Sequence, residues 1–190
     1  MKALAWGSII TSFLIFAFVA FGYFTEGIDH VSTEEVDAPT EVCWKFFQKV
    51  HRMDEWISGF KKIEIIEGFP NRPGSTFRVI LERDGEPLEL IQTVRKFEVG
   101  EIISFDMEND MIFGHTEITF TDNPEHTLIS YRQILKGKNA VYNAVLKLNE
   151  SGFIDEQNQN LHQLRKLILL IYEATFIQFQ YGIVHRIFTF

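Results

Sequence analysis

The pattern of hydrophobic and polar residues divides the chain into a charge-free beginning and a patterned remainder. Residues 3–24 form an unbroken run of 22 residues without a charged side chain. A helix of that length covers about 33 Å, enough to cross a hydrocarbon core of about 30 Å. Trp6 and Tyr23 lie near its two ends, where aromatic side chains suit the membrane interfaces. The run therefore predicts a transmembrane helix.

A cleaved signal peptide is the alternative for this segment. Ala20-Phe21-Gly22 would serve as a small-x-small cleavage site, but the run exceeds the roughly 7–15 apolar residues of a signal peptide, which favours a retained anchor. Lys2 precedes the helix, whereas residues 25–44 hold acidic side chains and no Lys or Arg. The positive-inside rule then places the N-terminus in the cytoplasm and the following domain on the extracytoplasmic side.

Helical and strand patterns alternate after the anchor. Strand signals at 30–38 precede an apolar stripe at helical spacing, formed by Val42, Phe46 and Val50, and a short helical segment that ends at Gly59. Asp84-Gly85 is the strongest hairpin signal. The predicted strands that follow are Lys62–Glu67, Thr76–Arg83, Leu88–Phe97, Ile102–Met107, His115–Thr121 and Thr127–Leu135. Their short connections indicate an antiparallel sheet.

A long amphipathic helix is predicted toward the C-terminus. Leu161, Leu164, Ile168 and Ile171 recur at spacings of three and four residues, which gives one apolar stripe for packing on a sheet. The order of strand, helices, successive strands and long helix predicts an α+β fold. A single long helix cannot tightly cover about seven curved strands, so we expect a cavity between helix and sheet.

Composition and charge exclude several classes of function. The 190 residues carry a net charge of −8, which argues against a nucleic-acid partner. The single Cys43 excludes an intrachain disulfide and a cysteine-built zinc site. The six histidines show no metal-binding spacing, and the chain has no P-loop, Rossmann glycine fingerprint or GxSxG elbow. We therefore expect no metal, no cofactor and no nucleic acid, and whether the protein is an enzyme stays open.

Four short stretches carry a family resemblance. They are Val36-Asp37-Ala38-Pro39-Thr40-Glu41-Val42-Cys43-Trp44, His51-Arg52-Met53-Asp54-Glu55-Trp56, Pro73-Gly74-Ser75-Thr76-Phe77 and Lys96-Phe97-Glu98-Val99-Gly100-Glu101. In this order they resemble the SRPBCC superfamily, the START-like or helix-grip fold, over about residues 30–174. The branch that they resemble most is the polyketide cyclase/dehydrase type, in members with one N-terminal membrane helix.

The resemblance implies a fold and a kind of ligand. The helix-grip fold is a curved antiparallel sheet of about six to seven strands wrapped around a long C-terminal helix, here with one N-terminal transmembrane helix. In such proteins the cavity binds sterols, phospholipids, polyketides or other apolar ligands. Tyr131 and Gln133 would be the polar groups that orient a ligand. The residues expected to line the cavity are Phe77, Val79, Phe105, Met107, Ile118, Phe120, Tyr131, Gln133, Leu164 and Ile168.

We expect the chain to consist of three segments, and three functions are open to it. Residues 1–27 form the membrane anchor, residues 28–174 the ligand-binding domain and residues 175–190 an apolar, Phe-rich tail. The first function is binding or transfer of a hydrophobic small molecule, such as a lipid or a polyketide-like compound. The second is a cyclase or dehydratase that uses the same cavity, with Tyr131 or a histidine as acid–base group. The third is a protein-interaction module that meets a partner through the tail.

Overall fold

The computed structural model describes residues 2–123 and 126–187, with side chains for residues 6–123 and 126–175. The helices are α1 (Lys2–Phe24), α2 (Thr40–Phe47), a 3-10 helix (Val50–Glu55), α3 (Ala140–Leu148) and α4 (Glu150–Ile187). The strands are β1 (Ile28–Val36), β2 (Phe60–Glu67), β3 (Thr76–Arg83), β4 (Glu86–Glu98), β5 (Ile102–Glu108), β6 (Ile112–Asp122) and β7 (Thr127–Gly137). The side chains of the predicted tail beyond residue 175 lie outside the described residues.

The strands that the structure describes form one antiparallel sheet of seven. Their spatial order is β1-β7-β6-β5-β4-β3-β2, so β2 to β7 follow one another as hairpins and β1 joins the far edge beside β7. Register shifts between Phe60 and Lys62 and between Val94 and Lys96 interrupt the ladders, as β-bulges that bend a sheet do. This curved sheet with the long helix α4 confirms the predicted α+β helix-grip fold.

The hairpin between β3 and β4 confirms the turn predicted from Asp84-Gly85. Both residues have positive φ, 52° at Asp84 and 84° at Gly85. A two-residue loop with positive φ at both positions is the type I′ turn, whose twist matches that of the flanking strands. Arg83 and Glu86 close the loop as paired residues. The turn therefore fixes the register of β3 against β4, and with it which residues face the interior.

The main hydrophobic core lies where α2 packs between α4 and the sheet. Leu164 and Ile168 of α4 are fully buried there against the aromatic side chains of α2. Trp44 and Phe47 both contact Phe120 of β6, with ring centroids 5.2 and 5.4 Å apart. The predicted stripe of α2 ends sooner than expected, because the helix stops at Phe47. Val50 begins the 3-10 helix and is exposed.

Helix α3 was not predicted from the sequence. Asn139 caps it by accepting a hydrogen bond from the backbone N–H of Tyr142 at 3.0 Å. Its polarity is inverted, since Asn143 is buried whereas Val141 and Val145 are exposed. A pattern that assumes apolar residues inside and polar residues outside therefore assigns the faces of this helix the wrong way round.

Replacement of Leu164 with alanine should destabilise the fold by about 2–5 kcal/mol, because it removes a fully buried side chain from a packed core. Urea unfolding of the full chain in detergent, followed by the fluorescence of the buried Trp44 and Trp56, measures this change. Leu170 lies on the same helix with 64% of its side chain exposed, so Leu170→Ala should change stability by less than about 0.5 kcal/mol. Equal losses of stability in the two variants would contradict the burial of Leu164 in the core.

Candidate functional site

A cavity of about 410 Å³ lies between the concave face of the sheet and the first turns of α4. Strands of the sheet supply apolar side chains along it, because alternate residues of each strand point to this face. The 3-10 helix and the residues after it close one side, and α4 closes another. The apolar lining includes Met53, Trp56, Ile63, Phe77, Val79, Leu81, Leu90, Val94, Phe105, Met107, Ile118, Leu135 and Phe153.

Most of the residues proposed from the sequence for the cavity lie on it. The structure brings together Phe77, Val79, Phe105, Met107, Ile118, Tyr131 and Gln133. Phe120, Leu164 and Ile168 do not line the cavity and belong to the packed core instead. The reason is α2, which fills the space between α4 and β6 at that end of the sheet. Contact of the seven lining residues with a ligand stays a prediction.

Sequence reasoning missed part of the lining. Leu81 and Leu90 share the inward faces of β3 and β4 with Val79, so the alternation of the strands was a signal that could have found them. Phe153 and Glu156 come from the first turns of α4, which begins at Glu150. The predicted stripe began only at Leu161, so no sequence signal placed these two residues over the sheet.

Tyr131 is the central ionisable group of the cavity. Burial raises the pKa of Tyr131 from an ordinary value of 10.0 to about 12, the Glu156 carboxylate adds to this rise, and the Thr116 hydroxyl opposes it. The Gln133 amide donates a long hydrogen bond of 3.5 Å to the Tyr131 hydroxyl and approaches Met107 Sδ at 3.9 Å. At neutral pH Tyr131 is therefore a protonated phenol that can donate to an acceptor in the cavity.

A second buried hydrogen-bond donor, the indole N–H of Trp56, lines the cavity. Trp56 is only 6% exposed, and its indole N–H has no hydrogen-bond partner among the described residues. The Thr116 hydroxyl is fully buried beside Tyr131 and is not a lining residue. A buried unsatisfied donor costs free energy, so the Trp56 N–H favours a ligand that supplies an acceptor.

An ion pair and two amides hold α4 over the cavity. Arg83, at the end of β3, donates to the Glu156 carboxylate of α4 at the cavity rim. Gln157 donates to the backbone carbonyl of Tyr131, and Asn160 accepts from the backbone N–H of Ser58 at 3.0 Å. These polar contacts connect the two long walls at their margins. The space between them can therefore remain apolar and open.

The site has few groups that could act chemically among the described residues. Among the described residues, no group of three or more His, Cys, Asp or Glu side chains could hold a metal ion. Cys43 is fully buried in the core, where burial raises the pKa of its thiol and so disfavours the reactive thiolate. The cavity thus offers an apolar interior, a few neutral donors and one ion pair at its rim.

Comparison with protein families identifies the family of this domain. The model of the family described as polyketide cyclase/dehydrase and lipid transport matches residues 28–168. The chain belongs to this family. The match begins at Ile28, the first residue of β1, and ends at Ile168, the last fully buried α4 residue of the main core. The family domain therefore contains the cavity and α3, and helix α1 precedes it.

Solved structures share the fold of this cyclase/dehydrase and lipid-transport domain. TTHA0849 from Thermus thermophilus matches with a TM-score of 0.62 and 13% identity, over 76% of this chain and 99% of that one. CV1439 from Chromobacterium violaceum matches with a TM-score of 0.57 and 18% identity, over 74% and 97%. The di-domain ARO/CYC StfQ from the steffimycin biosynthetic pathway matches with a TM-score of 0.61 and 12% identity, over 74% and 50%. No curated protein matches the sequence significantly.

Replacement of Tyr131 with phenylalanine should remove one phenol that ionises near pH 12 from the alkaline titration. The difference in ultraviolet phenolate absorbance between the wild-type protein and Tyr131→Phe measures this step directly. Because the pKa is raised in the folded state, the stability that neutral Tyr131 contributes is present below about pH 10 and is lost as pH rises through about 12. Tyr131→Phe should therefore lose stability less steeply than the wild type in that interval.

A difference spectrum with its midpoint near pH 10 would show that Tyr131 is solvated and would contradict the buried phenol. Tyr142→Phe is the matched control. Tyr142 lies on α3 outside the cavity, and its removal should leave the step near pH 12 in place.

Proposed function

We propose that this protein is a membrane-tethered domain that binds or transfers a hydrophobic small molecule in the cavity under α4. The cavity carries the proposal, because a volume of about 410 Å³ with a mainly apolar lining falls in the range of small-molecule sites. The family description, which includes lipid transport, supports the same class of ligand. The buried donors favour an amphipathic molecule, with an acceptor such as a carbonyl near Tyr131 and an apolar body along the strands.

Binding is better supported than turnover. A phenol with a pKa near 12 donates a hydrogen bond at neutral pH but does not act as a general base. The Glu156 carboxylate, which lies at the rim, is engaged by Arg83. The described cavity residues therefore provide orientation and desolvation rather than an acid–base pair.

A cyclase or dehydratase that uses the same cavity is the second candidate. The family description and the fold shared with the ARO/CYC protein StfQ favour it. In this function Tyr131 would polarise a substrate carbonyl as a hydrogen-bond donor, and the apolar walls would fold the substrate. The third candidate, a protein partner at the tail of residues 175–190, stays a prediction because its side chains lie almost wholly outside the described residues.

The membrane tether rests on α1. Trp6–Phe24 is a helix long and apolar enough to cross a bilayer, a criterion that a signal sequence also meets. Its docking to the domain supports retention. The buried Asn143 amide donates to the carbonyls of Gly22 and Thr25, at 3.0 and 2.6 Å. Cleavage after Gly22 would release α1 from this contact. We further propose that the domain lies on the extracytoplasmic side, because Lys2 lies at the start of α1 and acidic residues follow its end.

A lipid-like probe should bind saturably in the cavity of the full chain in nanodiscs. Energy transfer from Trp56, which lines the cavity, to a dansyl-labelled fatty acid reports this binding. Val79 projects into the cavity, so Val79→Phe should weaken binding by roughly tenfold, equivalent to about 1.4 kcal/mol. Ile80 is its neighbour on the same strand but is not a lining residue, so Ile80→Phe should leave the affinity unchanged.

Each contrary result has a distinct meaning. Saturable binding that is equally weakened in both variants would indicate that the change acts through the fold of β3 rather than through the cavity. No saturable transfer in the wild type, together with no co-purified lipid in native mass spectrometry, would overturn hydrophobic-ligand binding itself.

The protein extracted from membranes should retain its anchor. We expect the intact mass to include the residues of α1, because α1 is a packed part of the fold. Intact-mass spectrometry of the protein expressed in its own host or a close relative measures this. A protein that is soluble without detergent and begins near residue 23 would contradict the tether and favour a cleaved signal peptide.

A further inference from the structure

Helix α3 presents an apolar face to the outside of the domain. Val141, Val145 and Leu148 are 44%, 47% and 64% exposed. Their spacing of four and three residues places them on one side of the helix. Its opposite side is buried and includes Asn143 and Leu146, and Ala144 is buried beside the exposed residues. An exposed aliphatic stripe on a helix whose polar residue points inward is the reverse of what water favours.

Helix α3 is fixed to the anchor by close packing. Gly22 lies so near Ala140 that a Cβ at this position would overlap the Ala140 carbonyl, and it would come within 2.9 Å of Ala144 Cβ. The Asn143 side chain, 4% exposed, donates to the carbonyls of Gly22 and Thr25 and accepts from the backbone N–H of Gly137 at 3.3 Å. The amide thus joins α1, α3 and the end of β7, and α3 cannot change its orientation independently of α1.

The surroundings of this stripe suit the boundary of a bilayer. Tyr23 and Phe24, at the end of α1, are 76% and 82% exposed, and aromatic side chains favour the membrane interface. Two of the basic residues beside α3 are paired, Lys138 with Glu108 at 2.9 Å and Lys147 with Glu150 at 2.7 Å. Pairing lowers the cost of bringing these charges close to lipid.

We propose that the α3 face, defined by Val141, Val145 and Leu148, lies in the interfacial layer of the membrane that α1 crosses. This inference rests on the proposed membrane tether. The occupant is lipid, because the face is continuous with an apolar helix whose own exposed side chains need a bilayer. The domain is then held at two points, by a spanning helix and by an interfacial one, and its tilt on the membrane is fixed.

The arrangement brings one end of the cavity to the bilayer. Leu146, on the inner side of α3, packs with Leu135 and Met107 in a buried cluster against which Phe153 also packs. Leu135, Met107 and Phe153 in turn line the cavity. Helix α3 therefore separates the interfacial lipid from the cavity by about the thickness of one helix. A lipid-derived ligand would have a short path from the bilayer to the cavity.

Depth-dependent fluorescence quenching of the full chain tests this placement. Three variants, each with one added cysteine, carry the polarity-sensitive label NBD: Leu14→Cys on α1, Val145→Cys on the α3 face, and Val99→Cys. Val99 is the matched control, since it is a valine, 76% exposed, in the β4–β5 turn at the end of the strands opposite to α3. The native Cys43 is fully buried, and unlabelled wild type checks that it does not take up the label.

The proteins are reconstituted in phosphatidylcholine vesicles with and without phosphatidylcholine that carries a nitroxide on its acyl chain. We expect strong loss of NBD fluorescence at Leu14, a smaller but clear loss at Val145, and none at Val99. Leu148→Cys, on the same face, should behave like Val145→Cys and serves if the latter does not fold.

The outcomes separate the inference from the function on which it rests. Quenching at Leu14 with none at Val145 and Leu148 would overturn the docking of α3 while the tether stands. No quenching at Leu14 would overturn the tether and the docking together. A blue shift at Val145 that grows with the protein-to-lipid ratio and is insensitive to the nitroxide would assign the face to a second copy of the chain and would also overturn the proposal.

Discussion

The cavity exists because one helix is too narrow for the sheet that it covers. An α-helix with its side chains is about 10–12 Å wide, whereas seven strands spaced by about 4.8 Å span roughly 29 Å. Helix α4 can therefore contact only part of the concave face. Where α2 joins it, aromatic side chains fill the gap and a dry core results. Where α2 is absent, α4 and the 3-10 helix cover the inward apolar faces of β2 to β7 only at their margins, and the space between them stays open.

This constraint also decides what the sequence could predict. The strands, the β3–β4 hairpin and the long helix follow from local signals, since alternation and the Asp84-Gly85 turn act over neighbouring residues. The division of the apolar residues between core and cavity does not follow from such local signals. Phe120, Leu164 and Ile168 have the same apolar character as Phe77 or Phe105, and only the three-dimensional position of α2 makes the first three core and the other two cavity lining.

The orientation of helix α3 was beyond prediction for a related reason. Its apolar residues recur at helical spacing, so periodicity could have placed a helix here. The direction of its faces was not predictable, because Val141 and Val145 point outward and the buried Asn143 is stabilised by carbonyls more than a hundred residues earlier in the chain. Those contacts form only in the folded chain.

Burial away from water determines the chemistry of the cavity. Apolar walls raise the pKa of Tyr131 and leave the Trp56 N–H without a partner among the described residues, so the interior holds donors rather than bases. Such an interior discriminates by shape and by the position of one or two acceptors, and it gives little assistance to proton transfer. A ligand that satisfies these donors stabilises the fold by removing a cost that the unsatisfied groups impose. We therefore expect a ligand whose carbonyl accepts from these donors to raise the stability of the fold as it binds.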